Sequence, residues 1–316
     1  MFECFYNRRI FTDFDELAEN LRDWELEIFQ LEKGSFVNSI EQLSSGELLI
    51  SAAQFSGHTH QVGNSPSGRT FAILADAETH ITWRKHSIAK DSLMIFPVGG
   101  EFDVTTPKGL TNVITLSVSD KVLHKVMTDQ DNEKFMEVVS ENEVITLPDN
   151  ILQQLRLKCG SYFHLLQNEP ELVHSTSFQE EFTQNILVDI TEFLSTGDAQ
   201  NCQPTIKNVV WDRIDEELSW SLEKPLSVHQ LSIVAQVSER TLRRYFHNRF
   251  AISPKIYLNQ LRLNKVRIDL QRATQSNGII TNIANKWGFW HMGQFAHDYR
   301  RLFGELPSDT VSNYRE

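Results

Sequence analysis

Apolar positions recur along the chain in three rhythms. From Thr12 to Asp23, Phe14, Leu17, Ala18 and Leu21 fall at helical spacing, which predicts a short amphipathic helix. From Glu25 to Ser119 the pattern breaks into short apolar runs, among them Glu47 to Ala52, Thr70 to Leu74 and Ser92 to Phe96. Turn-forming clusters divide these runs: Ser44-Ser45-Gly46, Gly63 to Gly68 and Val98-Gly99-Gly100. Many short strands at such spacing predict an antiparallel sandwich or barrel. From Ser119 to Ser195 the helical period returns. After Pro148, Leu152, Leu155, Cys159, Tyr162, Phe163 and Leu166 share one helix face, and a second long helix is expected from Ser177 to Leu194.

The stretch from Ser195 to Pro204 is polar and rich in breakers, so the domain boundary is placed there. The expectation is a front domain over 1–200, β-rich over 25–119 and helical over 120–196, then a rear domain over 205–316 made of helices. The fold class is thus α+β in front and all-α behind. The rear domain contains an internal echo. Leu242, Phe246, Phe250 and Pro254 are spaced by four, and Phe295, Tyr299, Phe303 and Pro307 repeat that spacing 53 residues later. Residues four apart share a helix face, and each proline lies where its helix must have ended. A shorter helix is predicted ahead of each, over Val228 to Ala235 and Ile279 to Lys286, joined by Gln236-Val237-Ser238 and Trp287-Gly288-Phe289. Two helices with a tight turn between them form a helix-turn-helix, whose second helix fits a major groove. The two units are expected at 228–250 and 279–303.

Charge sharpens this picture. The formal net charge is −12. Met1 to Pro204 holds 14 Lys+Arg against 31 Asp+Glu, or −17, whereas Thr205 to Glu316 holds 16 against 11, or +5. Lys224 to Gly304 alone has 13 basic and 3 acidic residues, or +10. An acidic front and a basic rear suggest that one domain alone meets nucleic acid; a solvated basic face is the plainer alternative. No apolar run reaches the ~20 residues of a membrane span, and Glu3 stands where a secretory signal carries positive charge. The three cysteines, Cys4, Cys159 and Cys202, are scattered, which argues against a disulfide framework or a Cys-rich zinc site. A cytoplasmic protein without cofactor is expected.

On the first recognition helix, Ser238 is a good N-cap, and Glu239, Arg240, Thr241, Arg243 and Arg244 project opposite Leu242 and Phe246. A helix N-terminus with three arginines suits phosphates and guanine edges. Further matching stretches are Leu261-Arg262-Leu263, Val266 to Leu270, Ile283-Ala284, Gly288-Phe289 and Phe303 to Ser308. Together these residues resemble the DNA-binding domain of the AraC/XylS transcription regulators, over about the last 110 residues. Trp287 to His291 and Gly293 to Phe295 are most similar to the subtype that governs ethanolamine utilisation. The resemblance implies a DNA-binding regulator, with Ser238, Arg240, Thr241, Arg243 and Arg244 on DNA from the first unit. From the second it implies His291, Met292, Gly293, Ala296, His297 and Arg300. It also implies duplex DNA and a small-molecule effector as partners, a homodimer, and RNA polymerase if the protein is an activator. Two departures stand out. Gln236 occupies the usual turn-glycine position, which favours φ > 0. Met292, Gly293 and Ala296 stand where polar base readers are common, which leaves Arg300 and Arg301 to hold phosphates.

The front domain offers weaker signals. His58-Thr59-His60 puts two imidazoles on one strand face, but Gly63 and Asn64 stand where a cupin-like metal site wants a Glu, so no metal is expected. His80 and His86, around Trp83, suit ordinary sheet packing. No nucleophile motif, local acid–base pair or phosphate loop is present, so no catalytic residue is assigned. The resemblance instead implies a β-barrel or cupin-like effector domain, with Phe55, His58, Phe71, Trp83 and Phe96 as candidate ligand contacts. The rival reading is a DNA-modifying or repair enzyme with such a DNA-binding tail, which needs a reactive cysteine; Cys159 on an apolar helix face is a poor one.

Overall fold

A computed structural model describes residues 2–75, 81–83, 86–98, 100–119, 121–123, 137–140, 143–196, 200–201, 208–221, 226–273 and 278–313. The chain divides into two compact units. The first holds Met1–Glu27, Val37–Ser56 and Gln61–Gln203, and the second holds Ile28–Phe36, Gly57–His60 and Pro204–Glu316.

The first unit is built on two antiparallel sheets. Strands β1 (Cys4–Phe11), β3 (Asn38–Ser45), β4 (Leu48–Ser56), β11 (Leu110–Val118), β6 (Arg69–Leu74), β9 (Ser92–Ile95), β12 (Val144–Thr146) and β13 (Gln200–Asn201) lie in that order in the larger sheet. The smaller sheet runs β2 (Glu25–Gln30), β5 (Thr59–Asn64), β10 (Glu101–Thr105), β7 (Ile81–Trp83), β8 (His86–Ile88). Among the described residues neither sheet closes on itself, so the antiparallel expectation is met by a sandwich and not by a closed barrel. Helix α1 (Phe14–Asn20) starts at Asp13, whose carboxylate accepts the N–H groups of Asp15 and Glu16 and satisfies two of the free donors of the first turn.

Period-two alternation sorts the strand residues into two cores. On one face of the larger sheet Ile50, Phe71, Ile73 and Leu116 pack against Leu152, Leu155, Cys159, Phe163 and Leu166 of α2 (Asp149–Asn168) and Phe182 and Ile186 of α3 (Thr176–Thr196). On the other face Ala72, Leu74 and Met94 meet Trp83, Phe96, Phe102 and Val104 between the sheets. Two short strands fall in segments read as helix and linker. Ile145 pairs with Leu93 and with Asn201, so 144–146 and 200–201 extend the larger sheet. A three-residue strand is too short to impose a period on sequence.

The second unit contains α4 (Asn208–Ser221), α5 (Val228–Val234), α6 (Glu239–Phe250), α7 (Pro254–Gln271), α8 (Ile279–Lys286), α9 (Met292–Phe303) and α10 (Pro307–Asn313). Ser227 and Gln230 form a capping box at α5, and Ser253 caps α7, whose first residue is Pro254. The segments 28–36 and 57–60 are hydrogen-bonded into this unit. The Gln30 backbone exchanges two bonds with the Asn264 side chain, at 2.9 and 3.1 Å, and Gln30 Nε2 donates to the Leu302 carbonyl at 2.8 Å.

Candidate nucleic-acid interface

The first helix-turn-helix is α5, a short turn and α6. Leu242, Phe246 and Phe250 line the inner face of α6 and are fully buried. Trp211, Tyr257, Phe246 and Phe250 stack around one another with ring centroids 4.4–6.2 Å apart. Burying an aromatic side chain of this size stabilises by several kcal/mol in total, which fixes which face of α6 can point outward. The outer face carries Arg240, Arg243 and Arg244, all exposed, with Thr241 half-buried beside them. Ser238 Oγ accepts the Thr241 N–H at 3.2 Å, as its sequence position predicts. Arg243 donates to Glu239 Oε2 at 3.1 Å, a pair 64% and 40% exposed. Exposed pairs of this kind contribute little, so the guanidinium can exchange Glu239 for a guanine edge at small cost. Gln236 has φ 55°, the left-handed conformation expected of the missing turn glycine.

The second unit repeats the plan. Ile283, Ala284, Trp287, Phe295, Tyr299 and Phe303 close a core with Leu263, Val266 and Leu270 of α7. Polar ties fasten it. Asp269 Oδ2 accepts from Lys286 Nζ at 2.9 Å and Trp287 Nε1 at 2.8 Å, and Arg267 pairs with Glu305 at 3.2 Å. Arg262 lies over the Phe289 ring, 5.3 Å from its centroid, and burial lowers its pKa from the usual arginine value. Gly288, at φ 79°, takes the turn, and Gly304, at φ 80°, closes α9. On α9, His291, Gly293, His297 and Arg300 are exposed and Met292 and Ala296 half-buried. His291 makes no side-chain cap bond. The eleven candidate residues thus lie along two equivalent helices, with most of the positive charge at the start of α6 and at the end of α9.

The five front-domain candidates do not form one site. Trp83 and Phe96 touch, with centroids 4.2 Å apart, whereas Phe71 lies in the core on the opposite face of the larger sheet. Phe55 is buried in neither cluster. His58 belongs to the second unit, where its Nε2 donates to the Phe250 carbonyl at 2.7 Å. A carbonyl only accepts, so that nitrogen keeps its hydrogen and is no metal ligand in this arrangement. His60 Nδ1 meets the Tyr257 hydroxyl at 2.9 Å. Among the described residues no cluster of three or more His, Cys, Asp or Glu could hold a metal ion, and no helix is long and apolar enough to cross a membrane. Cys159 is fully buried, and that burial pushes its thiol up to about 12, far from the reactive thiolate a repair nucleophile needs. His80 and Cys202 lie outside the described residues.

Residues 231–313 match the helix-turn-helix domain family. A XylDLEGF operon transcriptional activator 2 of Pseudomonas putida is 31% identical over 140 residues, covering 44% of this chain and 88% of that relative. The chain belongs to the AraC/XylS family. A second XylDLEGF operon transcriptional activator of Pseudomonas putida is 26% identical over 238 residues, 73% of this chain and 71% of its own length. Among solved structures, the AraC-like transcriptional activator CuxR covers 83% of this chain and 96% of its own at 12% identity, with a TM-score of 0.42. As an AraC/XylS protein the chain is a DNA-binding transcription regulator. The Pseudomonas putida relatives are activators of the XylDLEGF operon and do not carry the likeness to the ethanolamine subtype, which stays an expectation from sequence stretches such as Trp287 to His291 and Gly293 to Phe295.

Proposed function

We propose that this regulator is a cytoplasmic activator that places α6 and α9 in adjacent major grooves of duplex DNA and answers to a small molecule bound by its first unit. The observation that carries the DNA reading is the exposed arginine set Arg240, Arg243 and Arg244 on the outer face of a capped α6, backed by a buried aromatic face. Ser238 and Thr241 sit at the helix start, where backbone N–H groups favour phosphate. His291, Met292, Gly293, His297 and Arg300 extend the surface along α9. The activator relatives of Pseudomonas putida support the direction of control, and an activator must also meet RNA polymerase. A homodimer would place two such surfaces on a repeated site.

Effector binding is supported by the aromatic group between the sheets. Trp24 contacts Phe96 and Phe102 edge-on, each at 5.6 Å, and its buried indole Nε1 finds no hydrogen-bond partner among the described residues. Buried donors want acceptors, so a flat apolar molecule with one acceptor atom suits this place. A mobility shift with the full chain, in the presence of excess non-specific DNA, tests the central reading. Binding that survives competitor and weakens steeply with salt supports it; loss of all binding to competitor refutes sequence-specific control. A thermal-shift screen of small metabolites on the full chain tests the effector reading, since a hundredfold excess over Kd stabilises by about 2.7 kcal/mol.

A further inference from the structure

The two helix-turn-helix turns share a hydrogen-bond pattern and then part. Gln236 and Gly288 each donate to the carbonyl three residues back, Ile233 and Asn285, and Val237 and Phe289 to the carbonyl five back, Ser232 and Ala284. In the first turn the next residue is already the N-cap, Ser238; in the second, Trp290 intervenes before the N-cap His291. That additional residue is 68% exposed, whereas Trp287, Phe295, Tyr299 and Phe303 of the same unit are buried. An indole held out in water at the mouth of a recognition helix gains nothing from folding.

Gly293 supplies a second, independent observation. It is the second residue of α9, and a Cβ added there would meet nothing within 4 Å. Its backbone is not in the left-handed region, so neither packing nor conformation calls for glycine. Glycine nevertheless weakens a helix relative to alanine. A close approach from outside the fold explains its presence. Arg300 and Arg301, exposed in the last turn of the same helix, give the surface a positive end suited to phosphate.

We propose that Trp290 is a DNA-contacting residue that lies against a thymine methyl in the major groove, with Gly293 as the clearing that lets the first turn of α9 come close. The inference rests on the reading that α9 faces the duplex. The thymine methyl is the apolar group that the major groove displays, and an indole beside a glycine can meet it without displacing a charged partner. The second unit then recognises sequence by shape and apolar contact, where the first uses arginine forks.

The test uses the full chain and a duplex recovered from a randomised pool by selection on the unsubstituted protein. Trp290→Ala should weaken binding on the order of tenfold, leave the melting temperature unchanged and leave the salt dependence unchanged, because no phosphate contact is lost. Trp290→Phe should keep most of the affinity. Replacing the contacted thymine by deoxyuridine should weaken the unsubstituted protein and make no difference to Trp290→Ala. Gly293→Ala should raise the melting temperature while weakening binding. Gly160→Ala, at an equally open glycine of α2, should raise the melting temperature and leave binding alone. Unchanged affinity in Trp290→Ala would overturn the proposal and point to a protein partner. A parallel fall in its melting temperature would mark a structural residue, and insensitivity to deoxyuridine would remove the thymine contact. If selection recovers no sequence, or Arg243→Ala binds as before, the DNA reading itself fails first.

Discussion

In the first helix-turn-helix the recognition helix starts at a serine cap and carries three exposed arginines, yet its turn and its end are held by Gln236 and Ala251 in left-handed conformations, at φ 55° and 51°. In the second, Gly288 and Gly304 take those conformations at φ 79° and 80°, and the helix starts at an uncapped histidine followed by Met292 and Gly293. One backbone plan is thus finished twice, once with relaxed glycines and an apolar reading end, once with strained non-glycines and a charged one. Sequence differences concentrate on the outward faces and the turns, while the inward spacing of Leu242, Phe246 and Phe250 against Phe295, Tyr299 and Phe303 is kept. The inner pattern secures the shape; the outer one is available for recognition.

The largest effects should appear where the two units are alike. Phe246→Ala and Phe295→Ala each empty a buried position, and each should destabilise by about 3–5 kcal/mol, read by chemical denaturation of the full chain. A cost under about 1 kcal/mol at either position would break the equivalence of the two cores. Asp269 should matter next, and only for the second unit. Asp269→Ala removes the acceptor of the Trp287 indole and the partner of Lys286, and should cost about 1–3 kcal/mol. A local loss of amide protection in α8 without one in α5 would sharpen the contrast. The smallest effect concerns the turns. Gln236→Gly should stabilise by about 1 kcal/mol because glycine adopts φ 55° without a Cβ clash, and Gly288→Ala should lose about as much. Opposite signs in both would show that the turns are not comparable.

The helical repeat, the Ser238 cap and the left-handed turn at Gln236 were legible because local spacing and one residue's side chain decide them. The two long front helices were legible for the same reason: Leu152, Leu155, Cys159 and Leu166 recur on one buried face. The number of sheets and their openness were not, because pairing such as Ile145 with Leu93 joins segments far apart. Nothing local marks 28–36 and 57–60 as part of the helical unit. The bonds that hold them, such as Gln30 to Asn264, are 234 positions long in sequence. The outward direction of Trp290 escaped for another reason. An aromatic residue in a run of aromatics reads as core, and only the turn, one residue longer than its counterpart, sets it apart.

The central claim is that hydrogen-bonded base reading belongs mainly to α6. Its most direct test is a set of affinities for a selected duplex and all its single-base variants, at one fixed salt concentration, for Arg243→Ala, Arg244→Ala, His297→Ala and Arg300→Ala. The account predicts that the first two flatten the discrimination at defined positions by about 1–3 kcal/mol and that His297→Ala changes it less. Arg300→Ala should weaken every duplex alike and lower the salt slope by about 1. If His297→Ala proves as damaging to base discrimination as Arg243→Ala, the division of labour between the two units is wrong.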